Sequence, residues 1–231
     1  MHFSYFSFIT LVALVSPLNA TDLTPARLTP KVFYGPTNLS HKTHSDLTIH
    51  GPSDLDTLNV NGKLEVTGPL TAKGLKASHL KVTGPLSLKA SDIGDATVHG
   101  PVELKTITAK GAFTVYGPLV SEGSRFLNSL IAYTNKVELI NSHIRGITIV
   151  FQNKQSGSFG FDVGDSISVT IQGTIYDLKN LKKTEPILYV DSKSTIAGNV
   201  VFQGRQGLLV LGRGATFNGK VINGAVVWAN Q

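Results

Sequence analysis

Two pairs of carboxylates are spaced for joint work. Asp162 and Asp165 stand in Asp-Val-Gly-Asp within a glycine-rich stretch, and Asp54 and Asp56 flank Leu55. Either pair has the charge to hold calcium or to divide general-acid and general-base roles. Isolated pairs of this kind also serve as turn residues that bond their own backbone. His41 and His44 give a His-x-x-His spacing, yet no Cys or Glu nearby supplies a third zinc ligand. Arg205 and Arg213 bracket Gln206 to Gly212, where two guanidiniums beside glycines could grip a carboxylate or phosphate. Phosphate-loop, nucleophile-elbow and His-Glu-x-x-His motifs are all missing. No catalytic residue, cofactor-binding residue or metal ligand is therefore assigned, no cofactor is expected, and the chain reads as a non-enzyme.

The elements that would position these side chains announce themselves by repetition. Leu47-Thr-Ile-His-Gly51-Pro52 is followed by Leu64-Glu-Val-Thr-Gly68-Pro69, Leu80-Lys-Val-Thr-Gly84-Pro85, Ala96-Thr-Val-His-Gly100-Pro101 and Phe113-Thr-Val-Tyr-Gly117-Pro118, at steps of 17, 16, 16 and 17 residues. Within each phrase the apolar residues lie two apart and share one face of a strand, while Thr48, Glu65, Lys81, Thr97 and Thr114 take the other. Gly-Pro ends each strand, because glycine permits a bend closed to other residues and proline offers no donor to a ladder. His50 and His99 recur in one column with Thr67, Thr83 and Tyr116, which the frame puts at a solvent-facing or corner position. Sixteen or seventeen residues make about three short faces per turn. The fold class is thus all-β, a single-stranded parallel β-helix (β-solenoid) in which each turn stacks on the one before.

Followed onward, the frame puts Leu130-Ile-Ala132, Ile147-Thr-Ile149, Ile167-Ser-Val169, Leu188-Tyr-Val190 and Leu209-Val-Leu211 on successive rungs. The last of these windows answer each other, since Thr195, Gly198, Val200 and Val201 recur as Thr216, Gly219, Val221 and Ile222. About ten rungs of 16–21 residues give a rod of about 45 to 50 Å. Asn153 to Asp165 and Tyr176 to Pro186 read as loops or a local excursion. Three segments follow: 1–20 a signal peptide, 21–46 a Pro-containing N-terminal linker or cap, and 47–231 the solenoid. Val221 to Trp228 runs apolar almost to the last residue, which predicts an end that another copy can cover or that Trp228 folds over as a lid.

Composition narrows the setting. An apolar stretch from Phe8 to Leu18 ending at Asn19-Ala20 has the length of a signal peptide rather than of a membrane span, although no Lys or Arg precedes it. Export to the periplasm, the cell surface or the medium is the expectation, with no transmembrane segment after signal removal. The chain has no cysteine, so disulfides and thiolate metal sites are excluded. A net charge of +6, spread over lysines such as Lys63, Lys73, Lys76, Lys81 and Lys89, suits anionic envelope polysaccharide or lipid headgroups better than nucleic acid. It equally suits solvent faces that must stay soluble.

The Val-x-Gly-Pro-Leu phrases, with Gly198-Asn-Val-Val and Gly219-Lys-Val-Ile-Asn-Gly, resemble the glycine-punctuated rungs of bactofilins over about residues 47–125 and 187–227. That family comprises polymer-forming bacterial cytoskeletal proteins, and the resemblance implies a right-handed coil that polymerises through its ends. It transfers no site residue, and the export signal and changing pitch depart from the family's pattern. The chain is accordingly expected to be an exported structural or interaction protein, an elongated β-solenoid of the bacterial envelope or surface that forms homo-oligomers through its ends. The alternatives are a carbohydrate-binding or carbohydrate-cleaving β-helix acting through Asp162, Asp165 and Arg145, or an adhesin recognising partners through loops such as Gly157 to Gly164.

Overall fold

A computed structural model describes residues 30–150, 168–171, 174–177 and 186–229; the proposed signal peptide, Asp162, Asp165 and the 157–164 loop lie outside the described residues. Among the described residues every regular element is a strand. One turn of the coil shows how the sequence builds it. The strand Lys76–Thr83 covers two faces, Gly84-Pro85 turns a corner, the strand Leu86–Lys89 forms another face, and Ala90-Ser91 leads into Asp92–His99 one level up. We call the face bearing Leu80 and Val82 face 1, that bearing Leu86 and Leu88 face 2, and that bearing Ala77 face 3.

Face 2 is a ten-stranded parallel sheet, running from Thr37–Ser40 through Ser53–Asp56, Leu70–Lys73 and on to Gly224–Trp228. Faces 1 and 3 merge into a second parallel sheet of 14 strands. The expected period-two pattern holds. Val66, Val82 and Val98 are ladder neighbours with no exposure, while Glu65, Lys81 and Thr97 form the neighbouring outward column. One continuous core extends from Leu39 to Ala215. Parallel stacking in register is what makes it continuous, since each inward side chain covers the one below.

The corners differ in how they are made. At the Gly-Pro corner Gly51, Gly68, Gly84, Gly100 and Gly117 all take a φ between 137° and 152°, and the residue after each of the first four prolines donates to the next proline's carbonyl. A second corner follows face 2 and is left-handed at His41, Thr57, Gly74, Ala90, Thr106, Gly123 and Asn141. Only two of those seven residues are glycine, so the corner is imposed by the stack rather than by local preference. Ala90 is exposed and packs no side chain at φ 49°. Ala90→Gly should therefore raise unfolding free energy by about 1 kcal/mol, the strain relieved less the extra chain entropy of glycine. Urea titration checks this, and a variant no more stable than the parent would count against strain at this corner. The third corner is tied by side chains: Asp46 Oδ1 accepts from Lys63 N–H at 2.7 Å and Asp95 Oδ1 from Ala112 N–H at 2.8 Å.

Three details of the frame need correction. Lys31–Tyr34 pairs with Leu47–His50, so Phe33-Tyr34-Gly35-Pro36 is a sixth copy of the repeated phrase and the coil begins inside the 21–46 segment assigned to a linker or cap. Val169 does not stack on Ile149, which is in register with Phe202; it belongs to Ser168–Ile171, which pairs antiparallel with Thr174–Asp177 as a hairpin apart from the coil. Ile147 is instead in register with Val200, and Asn141 bonds Asp191 across 50 residues where ordinary turns join residues 16 to 18 apart. After Val150 the coil resumes with Ile187–Val190 on face 2, so the count shifts by one face. Leu188 and Val190, with Leu209 and Leu211, consequently continue face 2 over Val137 and Leu139, not face 1. The correspondence of Thr195, Val200 and Val201 with Thr216, Val221 and Ile222 holds as read.

Candidate functional site

Residues with chemical potential are scattered by the coil. Asp54 and Asp56 are both exposed on the outer side of face 2, where Asp56 accepts from the Thr57 hydroxyl at 3.0 Å and has Lys73 as its ladder neighbour. His41 occupies a left-handed corner, whereas His44 faces inward beneath Val60. Burial pushes His44 below the usual imidazole value, and Lys31 and Lys42 push it the same way. The His-x-x-His pair is thus split between an exposed corner and a half-buried inward column. No group of three or more His, Asp or Glu able to hold a metal occurs among the described residues. Arg205 and Arg213 flank opposite ends of Gly207–Leu211, a separation of about 20 Å for an extended strand, so they cannot share one anion. Glu65 lies between Lys63 Nζ at 2.6 Å and Lys81 Nζ at 2.8 Å, whose hydrogen bonds hold its carboxyl at about 2.

The His column does stand on the surface. His99, Tyr116 and Tyr133 stack with ring centroids 4.4 and 4.3 Å apart, and Tyr34 stacks on His50 at 5.1 Å. Their faces cover one another, leaving mainly edges for any ligand.

Sequence reasoning missed a buried polar column just past the left-handed corner. Ser91 Oγ accepts from Leu75 N–H, Ser124 Oγ from Ile107 N–H, and Ser142 Oγ from Ser124 N–H, while each hydroxyl donates to the carbonyl two residues before it. Above them Asp191 is buried, accepting from Asn141 N–H at 2.8 Å and from the Ser194 hydroxyl. Ser91, Ser124 and Ser142 pair with backbone and one another, and Ser194, the serine that meets the Asp191 carboxylate, is buried with it, so the column closes turns rather than presenting a nucleophile to a substrate. Its only advance signal is the recurrence of serine at 91, 124, 142 and 194.

The feature that departs from a sealed rod is its C-terminal end. Phe202 lays its ring where Cβ atoms of Gly207 and Gly224 would sit, which lets Gly224–Trp228 stack closely on Gly207–Leu211. Asn223, left-handed at φ 57°, fastens the corner by donating its amide to the carbonyls of Phe202 and Arg205, both at 3.1 Å. Val226 and Trp228 thereby occupy the inward columns of Leu209 and Leu211. Those leucines have no exposure, yet Val226 is 40% and Trp228 54% exposed. Val226 and Trp228 thus cover the leucines below them and are themselves left uncovered. No family model, curated protein or solved structure matches the chain. At the opposite end Val32 and Tyr34 are exposed on the first turn. No helix among the described residues is long and apolar enough to cross a membrane.

Proposed function

We propose that the chain is a non-enzymatic structural element of a bacterial envelope or surface, exported as its N-terminal segment suggests, that assembles head to tail through the ends of its coil. The observation that carries this reading is the exposure of Val226 and Trp228 at core positions of the last turn. A last turn without a neighbour leaves both apolar side chains and strand edges unsatisfied, and a second copy supplies both at once. The ladder columns already run from Thr37 to Val226 and from Leu39 to Trp228. A copy stacked head to tail continues them, setting its Thr37 over Val226 and its Leu39 over Trp228. Such a contact is heterologous and does not close, so it generates filaments. The resemblance to bactofilins points the same way.

Lys31 and Lys42 at one end and Lys220 at the other oppose this contact. Assembly is accordingly expected to grow with ionic strength. In sedimentation velocity the parent should gain mass with concentration and salt, and electron microscopy should show rods several units long. Val226→Lys/Trp228→Lys should remain monomeric with an unchanged melting temperature, since both sites are exposed in the single chain. A parent that stays monomeric throughout the series overturns the reading.

A further inference from the structure

Face 3 carries on its outer side a trough that the end-to-end reading does not use. It has a volume of about 490 Å³, and its lining includes Arg125, Leu127, His143, Arg145 and Ala197. Arg125 and His143 are ladder partners one rung apart, and Arg145 lies two residues along the strand from His143 on the same side. Lys110, one level below Leu127, is exposed as are Arg125, His143 and Arg145. Among the described residues none of these cations forms an ion pair, whereas Lys63, Lys81 and Lys105 are each paired with Glu65 or Glu103. The charge here is therefore unspent, and it is concentrated in a depression.

We propose that this trough binds a linear acidic polysaccharide lying along the coil axis. Rungs repeat at about 4.8 Å, close to the length of one pyranose residue in an extended glycan. Cations on successive levels at Lys110, Arg125 and Arg145 can then meet carboxylates on successive sugars. The two guanidiniums present planar forks that match a carboxylate with two parallel hydrogen bonds. Leu127, 46% exposed between the cations, offers an aliphatic surface to the C–H face of a sugar ring. No exposed Phe, Tyr or Trp ring lines the trough, so it lacks the large stacking platforms that favour single-stranded nucleic acid. A lipid surface would call for cations standing proud of a flat face rather than gathered in a groove.

Affinity electrophoresis of the 231-residue chain through gels containing polygalacturonate tests this directly. The parent should be retarded by polygalacturonate and not by neutral dextran, with retardation falling as salt rises, the reverse of the salt dependence of assembly. Arg125→Gln/Arg145→Gln should bind about tenfold more weakly. Lys73→Gln/Lys89→Gln removes the same charge from a face 2 column bounded by Asp56 and Glu122, and should change binding less than about twofold. Ala197→Glu, which puts a carboxylate into the trough, should abolish retardation. Val226→Lys/Trp228→Lys should bind polygalacturonate like the parent, so failure of assembly and failure of this site are separable. Absence of retardation, equal loss in the two glutamine variants, or retention only by phosphatidylglycerol vesicles in flotation would each overturn the proposal.

Discussion

Val82→Asp should abolish the cooperative fold at ordinary temperatures, while Thr83→Asp, one residue further on, should leave it nearly intact. Val82 has no exposure and stands between Val66 and Val98 in its column, whereas Thr83 is exposed on the outer side of the same strand. A carboxylate at position 82 enters an apolar interior with no partner, a change that costs about 4 kcal/mol or more even after relaxation. Domain stability is commonly about 5 to 15 kcal/mol, so this one substitution removes much of it. In a stack each turn is held only by its neighbours, and damage at one rung separates the coil into two shorter pieces. Val82→Ala loses only packing, about 2 kcal/mol, and isolates the charge from the cavity. Circular dichroism melts of the four proteins decide the matter. Val82→Asp melting with the parent would mean that the column does not face a shared interior, and the whole architecture would fall with it.

How far the sequence could be read depended on what fixed its phase. Faces carrying Gly-Pro were legible because the dipeptide marks the same corner at 51, 68, 84, 100 and 117. The sixth copy at Gly35-Pro36 escaped because Lys31 stands where the later turns carry Leu47 and Leu64, and because prolines nearby suggest a linker. The left-handed corner left no compositional trace, since histidine, threonine, alanine and asparagine occupy it as well as glycine. Beyond Val150 no Gly-Pro restores the phase, so a count based on period alone slid from face 1 to face 2. Residues of the open end were legible as an apolar run from Val221 to Trp228. The face 3 trough was not, because Lys110, Arg125 and Arg145 are brought together only by the stacking of separate turns.

Gly100→Ala carries the second large effect, and Gly35→Ala provides its internal control. A Cβ on Gly100 would stand 2.4 Å from the Gly84 carbonyl oxygen and 2.7 Å from its carbon, in a backbone at φ 151°. Both obstacles are main chain, so no side chain can swing aside. Relief requires prising the rungs apart, which strains the bonds from Gly84 N–H to the His99 carbonyl and from Leu86 N–H to the Pro101 carbonyl. Gly35 begins the same column, and a Cβ there meets nothing within 4 Å while still paying for a positive φ of 84°. Gly35→Ala should therefore cost about 1 to 2 kcal/mol, the left-handed penalty alone. Gly100→Ala adds the clash and the weakened ladder, for about 4 kcal/mol or more in total. Paired urea titrations measure the difference, and hydrogen exchange should place the loss at the amides of residues 84 to 102. Equal destabilisation by the two alanines would mean that the column is held by backbone conformation alone and not by contact between successive turns.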